Sequence, residues 1–180
     1  MPVFWQQIKL IKKSNMTHLK AGDKAPKFKT TDEQGNPVSL ADFKGKKLVL
    51  YFYPADSTPT CTVEACNLRD NFEALRKAGY HLLGVSPDSA TKHQNFIKKN
   101  NLPFPLLMDE DHTIIRAYGV WGPKVTFGKA YDGLLRTTFI INGKGVIERV
   151  IDKVESKRHT EQILEVRELK SSKTTMFAPQ

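Results

Sequence analysis

The sequence predicts an α/β domain in which a central β-sheet is flanked by helices. From Lys27 onward, short apolar runs alternate with stretches of helical periodicity, which is the pattern of a layered α/β domain. One run, at 48–53, is continuously apolar and rich in strand-forming residues, as in a strand covered on both faces. With 180 residues, 39% of them hydrophobic, the chain can fill the core of a single domain.

The first half of the chain predicts a small hairpin, the central strand and a long helix. The hairpin strands lie at 28–31 and 37–40, and Pro54 ends the central strand. The helix runs from about Thr60 and stops near Gly79. Its apolar stripe consists of Val63, Leu68, Phe72 and Leu75.

The second half predicts further strands and helices, then a hairpin and a closing helix. Ser89 and Asp111 are candidate N-caps for helices at 89–100 and 113–118. Residues 121–132 are interrupted by glycine and proline without a clear period, so we expect a loop there. The remaining predicted elements are strands at 81–86, 105–108, 135–141 and 146–151, the last two joined by a tight turn at 142–145, and a helix at 156–169. This order is that of the thioredoxin-like fold, a central mixed β-sheet flanked by helices.

The two ends of the chain are predicted to lie outside the folded domain, which we place at 16–169. Residues 1–15 are expected to be a flexible N-terminal extension. Their apolar residues have helical spacing but are too few for a signal sequence or a membrane span. Residues 170–180 are expected to be a loose C-terminal tail.

The chain is basic, with a formal net charge of +9, but the basic residues are spread over turns and both tails. No stretch interleaves aromatic and basic residues in the way that stacks nucleic acid bases. We therefore expect a solvated basic surface, with neither nucleic acid nor a membrane as a partner.

The two cysteines, Cys61 and Cys66, lie five positions apart. Two cysteines so close together provide neither a disulfide framework nor a cysteine-rich zinc site. The pair indicates redox or catalytic chemistry in a reducing compartment, and the cytoplasm is the expected location.

Cys61 lies in the first turn of a predicted helix that follows the central strand. A helix N-terminus has unpaired N–H groups and a partial positive charge, and both favour thiolate over thiol. Arg136 interrupts an apolar strand, where it should be buried only if it is paired with an anion. Thr58 precedes Cys61 by three residues, Pro54 fixes the backbone as it leaves the strand, and Pro59 suits a helix start.

Cys66 is the candidate partner of Cys61 in a second step. In a regular helix, Cα atoms five residues apart are roughly 8 to 9 Å from each other, whereas a disulfide tolerates at most about 7 Å. The pair should therefore be unbonded in the reduced protein. If Cys61 becomes a sulfenic acid, the helix must unwind before Cys66 can condense with it.

Each of these residues also has a structural interpretation. Cys66 taken alone is more typical of core packing, and Thr58 alone could be a plain N-cap. Arg136 alone could belong to a structural ion pair. The acidic run Asp109-Glu110-Asp111 resembles a metal site, but a solvated loop before a helix is favoured.

At these residues the chain resembles the peroxiredoxins, whose active-site pattern is Pro, three residues, Thr or Ser, two residues and Cys. The resemblance is closest to the bacterioferritin comigratory protein or PrxQ branch and covers about residues 19–168. It also rests on the motifs Tyr51-Phe-Tyr-Pro54, Thr62-Val-Glu-Ala-Cys66 with Leu68-Arg-Asp70, Tyr118-Gly-Val-Trp-Gly122 and Arg136-Thr-Thr-Phe139. The family implies a thioredoxin fold, reduction of hydrogen peroxide and organic hydroperoxides, no cofactor, and usually thioredoxin as the reductant.

The resemblance also implies roles for the site residues. Cys61 matches the peroxidatic cysteine and Cys66 the resolving cysteine. Thr58, Pro54 and Arg136 match the active-site partners of the peroxidatic cysteine. One departure is Thr60, where this branch commonly has glycine. A β-branched residue there stiffens the turn and alters the cost of unwinding. We expect a monomer or a weak homodimer.

Two other functions are compatible with parts of the sequence. A thiol-disulfide oxidoreductase on the same fold would act on protein disulfides, but that chemistry usually uses Cys-x-x-Cys, and the spacing here is Cys-x-x-x-x-Cys. A non-enzymatic basic binding module would not need Cys61. The sequence favours the peroxidase over both.

Overall fold

The computed structural model of the chain describes residues 17–165, so the predicted extension at 1–15 and the tail at 170–180 lie outside the described residues. In chain order the elements are β1 (Lys29–Thr31), β2 (Pro37–Ser39), a 3-10 turn (Leu40–Phe43), β3 (Lys47–Phe52), α1 (Pro59–Asp70), α2 (Phe72–Lys77), β4 (Tyr80–Ser86), α3 (Ala90–Asn100), β5 (Leu106–Met108), α4 (Thr113–Ala117), β6 (Trp121–Thr126), β7 (Lys129–Leu134), β8 (Thr137–Ile141), β9 (Ile147–Ile151) and a 3-10 turn (Ser156–Arg158). Residues 159–165 continue as helix α5.

The central sheet has five strands in the order β5-β4-β3-β8-β9. Strand β3 is parallel to β4 and antiparallel to β8, so the sheet is mixed, as predicted. Alternate residues of β3 face opposite sides: Leu50 and Phe52 join one apolar cluster, whereas Val49 and Tyr51 join the other. The central strand is therefore buried on both faces, which confirms the prediction from its continuous apolar run.

Helices cover both faces of the sheet. Ile114 and Ile115 of α4 pack on the face of Leu50. The other face carries Leu68 of α1 and Phe96 of α3, together with Ile163 of α5. Among the described residues, no helix is long and apolar enough to cross a membrane.

The prediction of one continuous helix from about Thr60 to Gly79 is wrong, because the structure has two helices, α1 and α2, in this stretch. The stretch is divided at Asn71, whose side-chain amide donates to the carbonyl oxygen of Asn67 at 2.8 Å and competes with the regular helical ladder. The predicted stripe also included Val63, which is exposed. The buried face of α1 instead carries Cys61, Glu64, Ala65 and Leu68.

The loop predicted at 121–132 is in fact a hairpin of β6 and β7. Phe127 and Gly128 form its two-residue turn, and both have positive φ, as that tight hairpin turn requires. Phenylalanine is unusual in such a turn, so the sequence contains no clear signal for a hairpin at these residues.

The acidic run before α4 is not entirely solvated. Asp109 is buried, and its two carboxylate oxygens accept the amides of Ile114 and Ile115 at 3.0 and 2.7 Å. Asp111, the predicted cap, accepts the amide of Thr113 at 3.1 Å. Asp109 thus supplies most of the capping, because its buried oxygens replace the intrahelical partners that first-turn amides lack.

Candidate active site

Cys61 lies in the first turn of α1, close to the carboxyl end of β3. The helix begins at Pro59, with Thr58 in the N-cap position. Cys61 is 2% exposed, and both cysteines of the chain are free. The start of the helix directs its N-terminal partial charge toward this thiol, as the sequence predicted.

Arg136 contacts Cys61 directly. Strand β8 runs antiparallel to β3 with Thr137 opposite Phe52, so the residue before β8 arrives beside the end of β3. From there Nη2 of Arg136 donates to Sγ of Cys61 at 3.2 Å. The thiol thus contacts a guanidinium from a residue 75 positions later in the chain.

Glu64 holds the other arm of the Arg136 guanidinium. Nη1 of Arg136 donates to Oε2 of Glu64, whose side chain is completely buried. Burial opposes the charge of Arg136, but Glu64 and Cys61 outweigh it and raise the pKa of the guanidinium. A cation is thus fixed at the thiol. The sequence analysis missed Glu64, although a carboxylate on the apolar stripe that also carries Leu68 was a usable signal.

His159 of α5 lies behind Glu64. Its Nε2 shares a hydrogen bond of 2.9 Å with the hydroxyl of Thr138, and its Nδ1 lies 3.1 Å from Oε1 of Glu64 without hydrogen-bond alignment. His159 and Glu64 are both fully buried. The closing helix therefore reaches the charged pair next to Cys61, a contact that no local pattern predicts.

Tyr51 borders the same buried group. Burial first, and then the charge of Glu64, raise the pKa of Tyr51 well above its ordinary value, so the phenol stays neutral. Within residues 17–165 its hydroxyl has no hydrogen-bond partner. Such a group contributes an uncompensated desolvation cost to the folded state.

Thr58 and Pro54 precede the thiol in the chain, and the hydroxyl of Thr58 makes a different contact from the one expected. The hydroxyl of Thr58 donates to the carbonyl oxygen of Ala55 at 3.0 Å rather than to Cys61. The carbonyl of Thr58 accepts the amide of Thr62 at 2.9 Å and so begins the helix. Pro54 follows β3 at the start of the connecting loop.

That loop is held by a second buried group, which the sequence analysis also missed. Asp56 accepts a hydrogen bond from the Tyr53 hydroxyl at 2.6 Å and pairs with Nδ1 of His93 at 2.7 Å. The amide of Asp56 donates to Asp88 at 2.7 Å. These contacts fix the segment between β3 and α1, and with it the position of the helix start.

Cys66 lies on a different side of α1 from Cys61. It is half-buried, and its Sγ lies 3.8 Å from Oδ1 of Asn100 at the end of α3. Helix α1 is unbroken between the two cysteines. Five residues of helix turn about 140° past a full rotation, so the two thiols face apart.

Within the described residues, no group of three or more histidine, cysteine, aspartate or glutamate side chains could hold a metal ion. A groove of about 480 Å³ lies next to the start of α1, between Val63 and the 3-10 turn at Ser156–Arg158. A larger cavity of about 830 Å³ lies beside Leu48, at the end of β3 opposite Cys61 and Arg136.

The chain is similar to known proteins over most of its length. Residues 21–150 match the AhpC/TSA family. Peroxiredoxin Bcp of Escherichia coli strain K12 is 48% identical over 149 residues, which cover 83% of this chain and 96% of that protein. The bacterioferritin comigratory protein of Xanthomonas campestris, studied for its alkyl peroxide reduction activity, matches with a TM-score of 0.72 at 34% identity, over 77% of this chain and 88% of that chain. A PrxQ mutant of Xylella fastidiosa matches with a TM-score of 0.80 at 27% identity, over 87% and 99%.

These similarities cover the central sheet, α1 and the strand after Arg136. They confirm the thioredoxin-like fold and the resemblance to peroxiredoxins. The chain belongs to the AhpC/TSA family and is a thiol-dependent peroxidase of the Bcp/PrxQ type.

Proposed function

We propose that the chain reduces hydrogen peroxide and organic hydroperoxides with Cys61 as the peroxidatic cysteine. The thiolate attacks one peroxide oxygen, the O–O bond breaks, and the other oxygen takes up a proton and leaves as water or an alcohol. Cys61 is oxidised to a sulfenic acid. The alkyl peroxide reduction studied in the Xanthomonas campestris relative supports organic hydroperoxides as substrates.

The observation that carries this proposal is the hydrogen bond from Arg136 to Cys61. A guanidinium at 3.2 Å stabilises the thiolate before the reaction and the negative charge on the leaving oxygen during it. Thr58 contributes a hydroxyl that can turn from Ala55 toward a bound peroxide, and Pro54 fixes the backbone that leads to it.

Cys66 is the proposed resolving cysteine. Its thiol condenses with the sulfenic acid of Cys61, which forms a disulfide and releases water. Helix α1 must unwind first, because its regular geometry keeps the two Cα atoms roughly 8 to 9 Å apart. Thioredoxin or a similar dithiol then reduces the disulfide.

The wider setting is proposed from the sequence. Two cysteines without a disulfide framework suit the cytoplasm, where thiols stay reduced. We propose a monomer or weak homodimer that needs no cofactor, nucleic acid or membrane. The activity is assigned to residues 16–169, with 1–15 and 170–180 as dispensable ends. Sedimentation equilibrium measures the oligomeric state. Unchanged turnover after removal of residues 1–15 would support the assignment of the activity to 16–169.

The decisive experiment follows peroxide and thiols together. Addition of one equivalent of hydrogen peroxide should consume the Cys61 thiol and produce a 61–66 disulfide by mass spectrometry, and thioredoxin with its reductase should restore both thiols. Reduction of insulin disulfides without peroxide turnover would instead indicate a thiol-disulfide oxidoreductase. A persistent sulfenic acid would reassign Cys66 to core packing.

A further inference from the structure

The side chain of Asn67, the residue after Cys66, is bonded at both ends to a distant part of the chain. Its Oδ1 accepts the backbone amide of Thr160 at 2.9 Å and the hydroxyl of Thr160 at 2.9 Å. Its Nδ2 donates to the carbonyl oxygen of Lys157 at 2.9 Å. One amide group thereby joins α1 to the segment that leads into α5.

Two further contacts lie between this segment and α1. His159 lies 3.1 Å from Glu64, one helical turn before Asn67. Ile163 is completely buried in the same apolar cluster as Cys61 and Leu68. Thr160 is itself 3% exposed, so its hydroxyl has no easy access to water if Asn67 moves away. The segment 157–163 therefore packs along α1. We call its contacts with Asn67 and Glu64, made by Lys157, His159 and Thr160, the α1 clasp.

The clasp opposes the movement that disulfide formation requires. Cys66 and Asn67 are adjacent, with Cα atoms about 3.8 Å apart, so unwinding of α1 that extends through Cys66 displaces Asn67. Displacement of Asn67 breaks its hydrogen bonds to Thr160 and Lys157.

We propose that Asn67 and Thr160 are positioning residues for α1. They hold the helix in the folded form that reacts with peroxide, and the release of their hydrogen bonds limits the rate at which Cys66 reaches Cys61. This inference rests on the proposed role of Cys66 as the resolving cysteine.

The clasp also determines how long the Cys61 sulfenic acid survives. While the helix stays folded, a second peroxide can oxidise the sulfenic acid to a sulfinic acid and leave as water or an alcohol. Disulfide formation competes with this reaction. A weaker clasp should therefore give faster disulfide formation and less sulfinic acid at the same peroxide concentration.

The test compares Thr160→Val, which removes the hydroxyl and keeps the shape, with Thr160→Ser, which keeps the hydroxyl. Rapid acid quench and mass spectrometry give the rates of thiol loss and of disulfide formation separately. Thiol loss should stay within about twofold of wild type, while Thr160→Val should form the disulfide about fivefold faster, the factor expected for one hydrogen bond of roughly 1 kcal/mol. Thr160→Ser should resemble wild type, and Asn67→Ala should be faster than Thr160→Val.

A matched control separates the clasp from loss of stability in general. Thr30 donates its hydroxyl to the carbonyl oxygen of Met108, away from α1, so Thr30→Val also removes one hydroxyl hydrogen bond. It should lower the melting temperature without accelerating disulfide formation. If Thr30→Val accelerates the step as much as Thr160→Val does, the clasp is overturned.

The remaining outcomes are equally distinct. Disulfide formation at the wild-type rate in both Thr160→Val and Asn67→Ala would contradict the clasp while leaving the role of Cys66 intact. Absence of a 61–66 disulfide in the oxidised wild-type protein would contradict the role of Cys66 itself, and the clasp with it. If Asn67→Ala does not fold, Thr160→Val and the sulfinic acid fraction still decide the question.

Discussion

The two cysteines share one helix but have different surroundings. Cys61 is buried beside a cation, with Nη2 of Arg136 at 3.2 Å. Cys66 is half-buried, its Sγ lies 3.8 Å from Oδ1 of Asn100, and an electrostatic interaction links it to Arg69. Among the described residues, the direct hydrogen bond from a guanidinium distinguishes Cys61 from Cys66. Five residues of helix suffice to produce this difference, because they place the two side chains on different faces.

The largest effect should come from removing either thiol, and the two losses should differ in kind. Cys61→Ser removes the nucleophile and should slow peroxide reduction by more than about a thousandfold. Cys66→Ser should leave the first oxidation within about twofold of wild type but abolish turnover supported by thioredoxin. Stopped-flow peroxide consumption measures the first step, and a coupled thioredoxin assay measures turnover. Equal effects of both substitutions on the first step would contradict the distinction.

The next effect concerns the cation at Cys61. Arg136→Lys keeps the charge but loses the planar fork that reaches Glu64 and Cys61 at once. We expect the rate constant for hydrogen peroxide to fall about a hundredfold, which is the usual loss when one stabilising donor is removed. Lys124→Arg, on the β6 strand, serves as a control of the same chemical kind. A rate within twofold of wild type in Arg136→Lys would assign Arg136 a structural role.

A smaller effect is expected from the carboxylate that orients the guanidinium. Glu64→Gln keeps the shape of the side chain and removes the charge that pairs with Arg136. The first oxidation should slow about tenfold, and stability should fall by roughly 1–3 kcal/mol, because a buried charge-assisted hydrogen bond is weakened. Urea unfolding and peroxide kinetics measure the two effects. Unchanged kinetics with lowered stability would show that Glu64 only supports the fold.

The smallest effect should follow from removing the hydroxyl of Tyr51. Tyr51→Phe deletes a buried group that has no hydrogen-bond partner within residues 17–165, so stability at neutral pH should be unchanged or slightly higher. Peroxide reduction should stay within about twofold of wild type. A loss of tenfold or more would give the hydroxyl a role at Cys61.

The same substitution should change the stability in alkali. Burial raises the pKa of Tyr51 in the folded protein, whereas in the unfolded chain a tyrosine ionises near pH 10. The stabilisation linked to this tyrosine is fully present below about pH 10 and is lost as the pH rises through the folded pKa, since the unfolded state releases its proton first. Tyr51→Phe should therefore lose less stability than wild type between pH 9 and pH 11, roughly, in urea unfolding.

The sequence predicted the strands of the central sheet better than it predicted the extent of the other elements. Short-range signals, such as the apolar run of β3 and the Ser89 cap, were sufficient where one element decides its own structure. The helix break at Asn71 and the β6–β7 hairpin were missed. In both places a single side chain or a two-residue turn determines the geometry, and neither is visible in hydrophobic periodicity.

The sequence by itself determined that a helix begins near Pro59 and that Cys61 lies in its first turn. A proline at the helix start and a cysteine two residues later are local features. Neighbouring residues were therefore enough to predict the start of the helix and the position of the cysteine in it. The spacing of Cys61 and Cys66 likewise determined that they cannot be bonded while the helix is regular.

Only the tertiary structure decided which charges meet the thiol and what holds the helix. Arg136, His159 and Thr160 come from positions 75 to 99 residues after Cys61, and sheet pairing and the closing helix bring them there. Such contacts depend on register and packing over the whole domain, which no local pattern encodes. For that reason the sequence could predict an ion pair for Arg136, but only the fold could show that Glu64 is its partner.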